Sequence, residues 1–221
     1  MEARFGLIEK LETVNAHGQI WIGRKSDSTK RIAIVKLPNN NADLEALALE
    51  YFVFDTLGAH PNVIQMIEYH EQQPPYMAMG FAKAKCLYNY LGTFAKDNTK
   101  NERWARYFFR QVINGLSHVH EKGFAHLDMK IDNVLLDVNE EGTSMTAMIT
   151  DFGMVEQNQE GIIVPYGAVY GPPEYILHGK TPYNGEKADV FATAFILLAL
   201  LARNRFGADE QCESNFYKYL A

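Results

Sequence analysis

The sequence predicts an α+β protein made of two parts, a small β-rich part with one inserted helix and a larger, mainly helical part. Before residue 80, short runs of β-branched and aromatic residues alternate with turn residues, which is typical of strands. After Phe81, apolar residues recur at the helical spacing instead. A hydrophobic content of 47% in 221 residues is enough for a sizeable core.

The strands of the first part are short and bounded by turn residues. They are predicted at 19–22, 32–35, 63–69 and 76–79. A helix is predicted from about Asp43 to Leu57, and it ends before Gly58 and the HPN sequence at 60–62. The first part is therefore expected to be a small sheet with a single helix.

Two helices stand out in the second part. One is predicted at 102–122, where Thr99 and Glu102 form a capping box and Gly123 ends the helix. The other, 191–202, is apolar throughout, but its twelve residues are too few to span a bilayer. Because it is apolar on every side, we expect it to be a buried helix.

These patterns divide the chain at a short connection. The first part is 1–79, the connection at 80–83 is expected to act as a hinge, and the second part is 84–221. Clefts between two such parts are preferred places for ligand sites.

Composition excludes several classes of function. Lysine and arginine number 21 against 27 acidic residues, and the net charge of −6 argues against a dedicated nucleic-acid binder. The two cysteines, Cys86 and Cys212, lie far apart and suggest neither a disulfide framework nor a zinc site. The first residues lack the apolar core of a signal peptide, so a cytoplasmic protein without a membrane partner is expected.

The most informative stretch is HLDMKIDNVLLD at 126–137. It places Asp128, Lys130 and Asn133 in one short loop between a helix and a strand, and Asp151 follows in TDFG. Mg²⁺ takes a few oxygen ligands and otherwise keeps its waters, and Asn133 and Asp151 could supply those ligands. Asp128 could then orient the hydroxyl group that accepts a phosphoryl group, and Lys130 could neutralise the negative charge on that migrating phosphoryl group. Phosphoryl transfer requires little more than these groups.

This ordered set of motifs resembles that of the eukaryotic-type protein kinases. The resemblance implies a bilobal kinase fold, with an antiparallel-sheet N-lobe that carries one helix and a mainly helical C-lobe. It also implies that ATP and Mg²⁺ are used to phosphorylate a protein substrate. Asp128 and Lys130 would be catalytic, Asn133 and Asp151 would bind the metal, and Lys130 favours Ser/Thr over tyrosine as the acceptor.

In the first part, Lys36 at the end of the strand IAIVK matches the lysine that pairs with the nucleotide's phosphates in this family. That lysine needs a carboxylate partner, which Glu45 or Glu50 could provide. Glu50 shares a helical stripe with Leu47 and Phe54 and therefore faces the core, so Glu50 is preferred.

The resemblance also assigns the adenine site. Its residues are Ile20, Ile34, Met79, Gly80, Ala82 and Leu135. The two isoleucines and Leu135 would enclose the ring, and Met79 occupies the gatekeeper position. The backbone of the glycine and the alanine would meet the edge of the adenine.

The phosphate-covering loop departs from the family pattern. Of the three glycines in G-x-G-x-x-G, only Gly18 is present, and Thr13 and Asn15 stand at the other two positions. Those glycines let backbone N–H groups approach phosphate closely. Asparagine tolerates unusual φ values, so the loop could still fold over ATP. The alternative is an ordinary hairpin that contributes little to binding.

A second departure concerns regulation. Leu127 replaces the arginine that usually receives an activation-loop phosphate, and no serine or threonine occurs between Gly153 and Glu174. Tyr166 and Tyr170 are the only hydroxyls in that loop. The enzyme is therefore not expected to be switched by loop phosphorylation.

The end of the chain is the third departure. Pro172 to Glu174 resembles the family's A-P-E, and Asp189 matches the helix aspartate that anchors the catalytic loop. The helices that usually complete the C-lobe do not follow, so an incomplete C-lobe is expected. Apolar surface around 191–220 would then be exposed, and a second copy or a capping partner is expected to cover it.

Three functions remain open at this point. The first is an active Ser/Thr protein kinase. The second is a pseudokinase that acts as a binding or scaffolding module, and the degraded glycine loop and Ile34 favour it. The third is a small-molecule kinase with the same catalytic core, which Asp189 and the A-P-E-like segment argue against.

Overall fold

The structure is a computed structural model. It describes residues 5–11, 18–26, 32–72, 74–91, 98–157, 170–172 and 183–203. The chain forms two compact units, of which the first comprises Met1–His60 and Ile64–Ala82, and the second comprises Pro61–Val63 and Lys83–Ala221. The boundary at Ala82 falls within 80–83, whose role as a hinge stays a prediction.

An antiparallel sheet of five strands forms the first unit, in the order β1-β2-β3-β5-β4. The strands are β1 (Phe5–Leu11), β2 (Gln19–Lys25), β3 (Ile32–Leu37), β4 (Met66–His70) and β5 (Tyr76–Gly80). A small core of Phe5, Ala33, Val35, Tyr76 and Ala78 packs on this sheet. The predicted antiparallel-sheet lobe is confirmed.

Two details of this sheet differ from the prediction. The structure adds β1, which the sequence analysis did not identify as a strand. The strand predicted from Val63 begins at Met66 instead. Val63 itself belongs to the second unit, where it forms an isolated bridge with Ile149.

The single helix of the first unit, α1 (Asn41–Leu57), begins and ends at well-defined caps. The side chain of Asn40 accepts a hydrogen bond from the N–H of Asp43 at 2.9 Å. The carboxylate of Asp43 accepts one from the N–H of Asn39 at 3.0 Å. These contacts satisfy N–H groups that have no partner within the helix. The chain leaves the helix at Gly58 with φ of 66°.

The second unit is mainly helical, as predicted. Its described elements are α2 (Asn98–Glu121), β6 (Phe124–Ala125), β7 (Val134–Val138), β8 (Met145–Ile149), β9 (Glu156–Gln157) and α3 (Gly185–Ala202), with short 3₁₀ helices at Leu87–Tyr90 and Ile131–Asn133. Strands β7 and β8 form an antiparallel hairpin, and β6 pairs with β9. The hairpin follows directly after the loop that carries Asp128.

The start of α2 was predicted wrongly. The helix begins at Asn98, so Thr99 is its second residue and cannot be the N-cap of a capping box. Glu102 instead pairs with Arg106 one turn later, at 2.7 Å. The end agrees with the prediction, since Gly123 takes φ of 81° just beyond the helix.

The prediction that 191–202 is buried on every side was also wrong. This segment is the larger part of α3, and only one face of the helix is buried, with Ala192 and Ile196 at 0% exposure. Leu198 and Leu201 on the other face are 39% and 44% exposed. Some apolar surface is therefore exposed here, as expected, while 204–221 lie outside the described residues. Within the described ranges, no helix is long and apolar enough to cross a membrane.

A glycine in the middle of α2 allows the segment Pro61–Val63 to pack against the helix. A Cβ at Gly115 would overlap the carbonyl oxygen of Asn62 and would lie 3.1 Å from Cδ1 of Ile149. The same carbonyl accepts the N–H of Ile149 at 2.9 Å, and the Asn62 amide donates to the Ala147 carbonyl at 2.9 Å. The backbone of Asn62 is thus fixed by hydrogen bonds and cannot readily move away.

We therefore predict that Gly115→Ala destabilises the protein. Alanine in a helix interior normally stabilises by roughly 1 kcal/mol over glycine. The overlap with a fixed carbonyl should reverse that sign and cost about 1–3 kcal/mol. Chemical unfolding monitored by circular dichroism measures the change, and the exposed Asn114→Ala in the same helix is the control. An increase in stability for Gly115→Ala would contradict the close packing.

Candidate active site

A buried carboxylate on α3 holds the backbone of the loop that follows β6. Asp189 is fully buried, and its Oδ2 and Oδ1 accept the N–H groups of His126 and Leu127, each at 2.7 Å. Nε2 of His120 lies 2.8 Å from Oδ2. A buried carboxylate is tolerated only when its oxygens are satisfied in this way. Asp189 therefore fixes two consecutive peptide units of the loop.

Leu127 adopts an unfavourable backbone conformation within this clamp. Its φ is 60°, in the left-handed region that non-glycine residues rarely adopt, and its side chain is 1% exposed. Such a conformation costs roughly 1–2 kcal/mol, which the bonds from Asp189 offset. Gly185 at the start of α3 leaves room, since a Cβ there would lie 2.6 Å from Cβ of Ala125 and 3.4 Å from Cδ2 of Leu127.

The next residue, Asp128, carries the predicted catalytic carboxylate. Its Oδ2 accepts hydrogen bonds from Nζ of Lys130 at 2.6 Å and from Nδ2 of Asn133 at 2.9 Å. The same amide of Asn133 also donates to the Asp128 carbonyl at 2.9 Å. Among the described residues, no donor reaches Oδ1. The carboxylate is thus oriented through one oxygen, and the other can accept a further hydrogen bond.

His126 connects this loop to the TDFG segment. Its Nδ1 accepts the N–H of Asp128 at 3.3 Å, and its Nε2 lies 3.1 Å from the carbonyl oxygen of Thr150. Both contacts are satisfied by the neutral tautomer with the proton on Nε2. The imidazole ring also contacts the ring of Phe152, with centroids 5.0 Å apart. The fully buried His126 therefore positions the two motifs relative to each other.

The two predicted metal ligands lie in adjacent segments. The N–H of Thr150 donates to the carbonyl of Asn133 at 3.0 Å, which brings the following Asp151 close to Asn133. Asp151 is exposed, and its φ of 68° is again in the left-handed region. Because Nδ2 of Asn133 is used on Asp128, the amide oxygen of Asn133 is the atom left to bind a metal.

This donor set suits Mg²⁺. One carboxylate and one amide oxygen are hard ligands, and Mg²⁺ is usually held by only one or two protein groups, with water and phosphate completing its coordination. Within the described part of the chain, no three His, Cys, Asp or Glu side chains cluster as a metal site. Asn133 with Asp151 fits the ion that the sequence suggested.

In the first unit, Lys36 is paired with Glu50. Nζ of Lys36 contacts both carboxylate oxygens, at 2.6 and 2.8 Å, and the two side chains are 15% and 7% exposed. Glu45, the alternative partner, lies on the exposed side of α1. The ion pair therefore joins α1 to β3 and holds the ammonium group in one place.

The predicted adenine residues of the first unit lie on neighbouring strands. Ile20 on β2 is opposite Lys36, and Ile34 on β3 is opposite Met79 on β5. Gly18 precedes β2 with φ of 91°, and a Cβ there would overlap the carbonyl of Leu37. The glycine at this position is thus required by the local backbone, whatever the loop before it binds.

The remaining residues of the predicted adenine site differ in hydrogen bonding and burial. The N–H of Gly80 donates to the Gln65 carbonyl at 2.9 Å, so this N–H is not available to a ligand. Ala82 is half-buried at the end of the first unit, and Leu135 is half-buried on β7 in the second unit. Several predicted positions lie outside the described residues, namely Thr13, Asn15, Tyr166 and the second half of the A-P-E-like segment.

Sequence reasoning missed the contact of His120 with Asp189. The spacing of the histidines outside the motif fits no metal site, and it gives no hint of this contact. The one available signal was that His120 lies at the end of α2, shortly before the loop that carries Asp128. Asn62 was likewise not identified as the residue that ties the HPN segment to the β7–β8 hairpin.

Comparison with known proteins gives a consistent result. Residues 16–220 match the protein kinase domain family. The chain is 32% identical over 151 residues to CBL-interacting protein kinase 11 of Oryza sativa subsp. japonica, covering 65% of this chain and 28% of that protein. It is 28% identical over 198 residues to mitosis inducer protein kinase cdr1 of Schizosaccharomyces pombe, covering 83% and 32%.

A third relative covers more of the chain. Maternal embryonic leucine zipper kinase of Danio rerio is 28% identical over 213 residues, which is 92% of this chain and 30% of that protein. The chain thus spans less than a third of the length of these three relatives. Since the family match extends over nearly all of the sequence and includes both the Lys36–Glu50 pair and the loop around Asp128, the chain belongs to the protein kinase domain family.

Proposed function

We propose that this protein is an active kinase that transfers the γ-phosphoryl group of ATP, in the presence of Mg²⁺, to a serine or threonine hydroxyl of a protein. The observation that carries the proposal is the oriented carboxylate of Asp128. Lys130 and Asn133 hold one of its oxygens, and the other can accept a hydrogen bond. A scaffold that only binds partners has no need of this arrangement.

In the proposed reaction, the acceptor hydroxyl donates a hydrogen bond to Oδ1 of Asp128. The hydroxyl oxygen attacks the γ-phosphorus, the bond from that phosphorus to the β–γ bridging oxygen breaks, and ADP leaves. The hydroxyl proton passes to Asp128. Lys130, 2.6 Å from the other carboxylate oxygen, places a positive charge beside the migrating phosphoryl group.

Other groups hold the nucleotide. Asn133 and Asp151 would bind Mg²⁺, which supplies neutralising charge at the β- and γ-phosphates when bound. Lys36 would contact the phosphates, and Glu50 keeps its ammonium group in position. Ile20, Ile34, Met79, Gly80, Ala82 and Leu135 are proposed for adenine.

The acceptor class follows from Lys130, which is typical of Ser/Thr kinases rather than tyrosine kinases. A cytoplasmic location and a partner at the exposed face of α3 are also proposed. Leu198 and Leu201 motivate the last of these, because they are exposed apolar residues on one helix face.

A pseudokinase is the second candidate, and one feature of the sequence favours it. Thr13 and Asn15 replace two glycines that let backbone N–H groups approach phosphate. A protein of this kind would retain the Lys36–Glu50 pair without transferring phosphate. Measuring transfer, rather than ATP binding, distinguishes the two candidates.

We predict that the purified protein phosphorylates a generic protein substrate and that two substitutions abolish the activity for different reasons. Asp128→Ala removes the group that orients the acceptor hydroxyl. Asp151→Asn removes a charged metal ligand and should cost several kcal/mol of transition-state stabilisation. Transfer of labelled γ-phosphate with and without Mg²⁺ is the measurement.

The control is Asp132→Asn, which changes a neighbouring half-buried carboxylate in the same loop that has no proposed role in transfer. It should retain most of the activity. Absence of transfer by the wild type would favour the pseudokinase. Near wild-type activity in Asp151→Asn would show that the metal site is assigned wrongly.

We also predict that activity does not depend on phosphorylation of the loop at 154–173. Leu127 is buried and apolar where a phosphate-binding arginine would stand. Tyr170 is 5% exposed and stacks on Phe195 with ring centroids 4.3 Å apart, so it is not presented to another kinase. Only Tyr166 remains as an acceptor in this loop.

Treatment with a broad phosphatase, verified by mass spectrometry, should leave the rate of transfer unchanged. The variant Tyr166→Phe should be as active as the wild type. A loss of activity that rephosphorylation of Tyr166 restores would refute this prediction.

A further inference from the structure

A row of arginines lies on the exposed face of α2. Arg103, Arg106 and Arg110 are three and four residues apart, so they share one side of the helix and span about 10 Å along its axis. The whole chain carries a net charge of −6. A concentrated positive patch on an acidic protein favours a negatively charged partner at this place.

Most of this positive charge is available to a partner. Within the part of the chain that the structure describes, Arg103 and Arg110 form no ion pair. Arg106 pairs with Glu102, but both side chains are largely exposed, at 71% and 63%, and such pairs exchange readily. Glu140 and Glu141 are exposed acidic residues of the β7–β8 turn, where the side-chain amide of Asn139 donates a hydrogen bond to Glu141 at 2.8 Å.

An apolar cavity adjoins the arginines. It has a volume of about 580 Å³ and is lined by Trp104, Tyr107 and Met145, together with Arg103 and the turn 142–144. A second cavity of about 500 Å³ contains all three arginines and shares Arg103 and Tyr107 with the first. These two adjoining cavities are together named the α2 groove here, with an apolar end and a positive end.

The walls of the α2 groove are held in place before any partner binds. The hydroxyl of Tyr107 donates to the carbonyl of Met145 at 2.8 Å, and the ring of Trp104 stacks on the buried Phe108 with centroids 5.7 Å apart. Asn139 accepts the N–H groups at 143 and 144, at 2.8 and 3.0 Å, which closes the turn opposite the helix. A preformed surface binds with a smaller loss of conformational entropy.

We propose that the α2 groove docks an extended acidic segment of a partner protein that also carries one bulky apolar side chain. Side chains on one face of an extended peptide repeat every ~7 Å, and the long side chains of arginines about 5 Å apart along the helix axis can spread to reach them. Arginine binds carboxylates in a two-pronged manner, and Trp, Tyr and Arg are the residues enriched at the energetic centres of interfaces. The apolar side chain would enter the cavity beside Trp104 and Tyr107.

This docking surface goes beyond the proposed catalytic function. None of the residues that line the α2 groove is among those proposed to bind ATP, the metal or the acceptor hydroxyl. The binding would therefore occur whether or not the protein transfers phosphate, and a binding assay can test it alone.

The test uses a fluorescent peptide with glutamate at alternating positions and a single phenylalanine, titrated with the full chain and followed by fluorescence anisotropy. Two control peptides replace the glutamates by lysine or the phenylalanine by alanine. Arg103→Glu combined with Arg110→Glu reverses the charge of the groove. The matched control reverses two exposed lysines of the same unit, Lys122→Glu with Lys187→Glu, and gives the same net charge.

The arginine double variant should weaken binding by about tenfold or more, whereas the lysine double variant should change it less than about twofold. Binding should weaken as the salt concentration increases. The peptide with alanine in place of phenylalanine should bind the wild type more weakly, and the glutamate peptide should bind Trp104→Gln more weakly, each by a factor comparable to that of the arginine double variant. Thermal melts of each variant establish that it is folded.

Absence of binding by the glutamate peptide would overturn the proposal, as would equal losses in the two double variants. Vesicles containing phosphatidylserine and a single-stranded oligonucleotide are titrated in parallel. If either binds as tightly as the peptide, and with the same dependence on the arginines, the groove is a general anion surface and not a peptide docking site.

Discussion

The carboxylate of Asp189 is buried, and three donors converge on it. Two of them are the consecutive N–H groups of His126 and Leu127, and the third is Nε2 of His120. Removing a carboxylate from water is costly, so these contacts form together or not at all. They also hold Leu127 in a left-handed conformation that it would otherwise leave. The direction in which Asp128 emerges from the backbone therefore depends on a helix more than sixty residues further along the chain.

A few side chains connect the loop held by Asp189 to the segment that carries Asp151. His126 binds the carbonyl of Thr150, and Asn133 binds Asp128 through its side chain and Thr150 through its backbone. The segment with Asp151 is thus positioned by the same loop that carries Asp128. Charged groups placed in this way need no reorganisation when a reaction begins, which is the main source of electrostatic catalysis. In this chain, one carboxylate, one imidazole and one amide make the contacts that hold the two segments.

Much of this arrangement could be predicted from the sequence, and the failures have physical causes. Helical periodicity chose Glu50 over Glu45, and the structure pairs Glu50 with Lys36, because a single helix face is a local property. The contact of His120 with Asp189 spans 69 residues and leaves no local pattern. Exposed apolar surface on α3 was expected, but the face that carries it could not be predicted, because a uniformly apolar segment has no periodicity to show which side meets solvent.

Native-state amide hydrogen exchange at Leu127 tests the central role of Asp189 most directly. A bond to a fully buried carboxylate should open only when the second unit unfolds. The Leu127 amide should therefore exchange as slowly as the buried amides of α2, such as that of Val112. Exchange as fast as at the exposed Glu140 would contradict it, because the loop would then open freely while α3 remained folded.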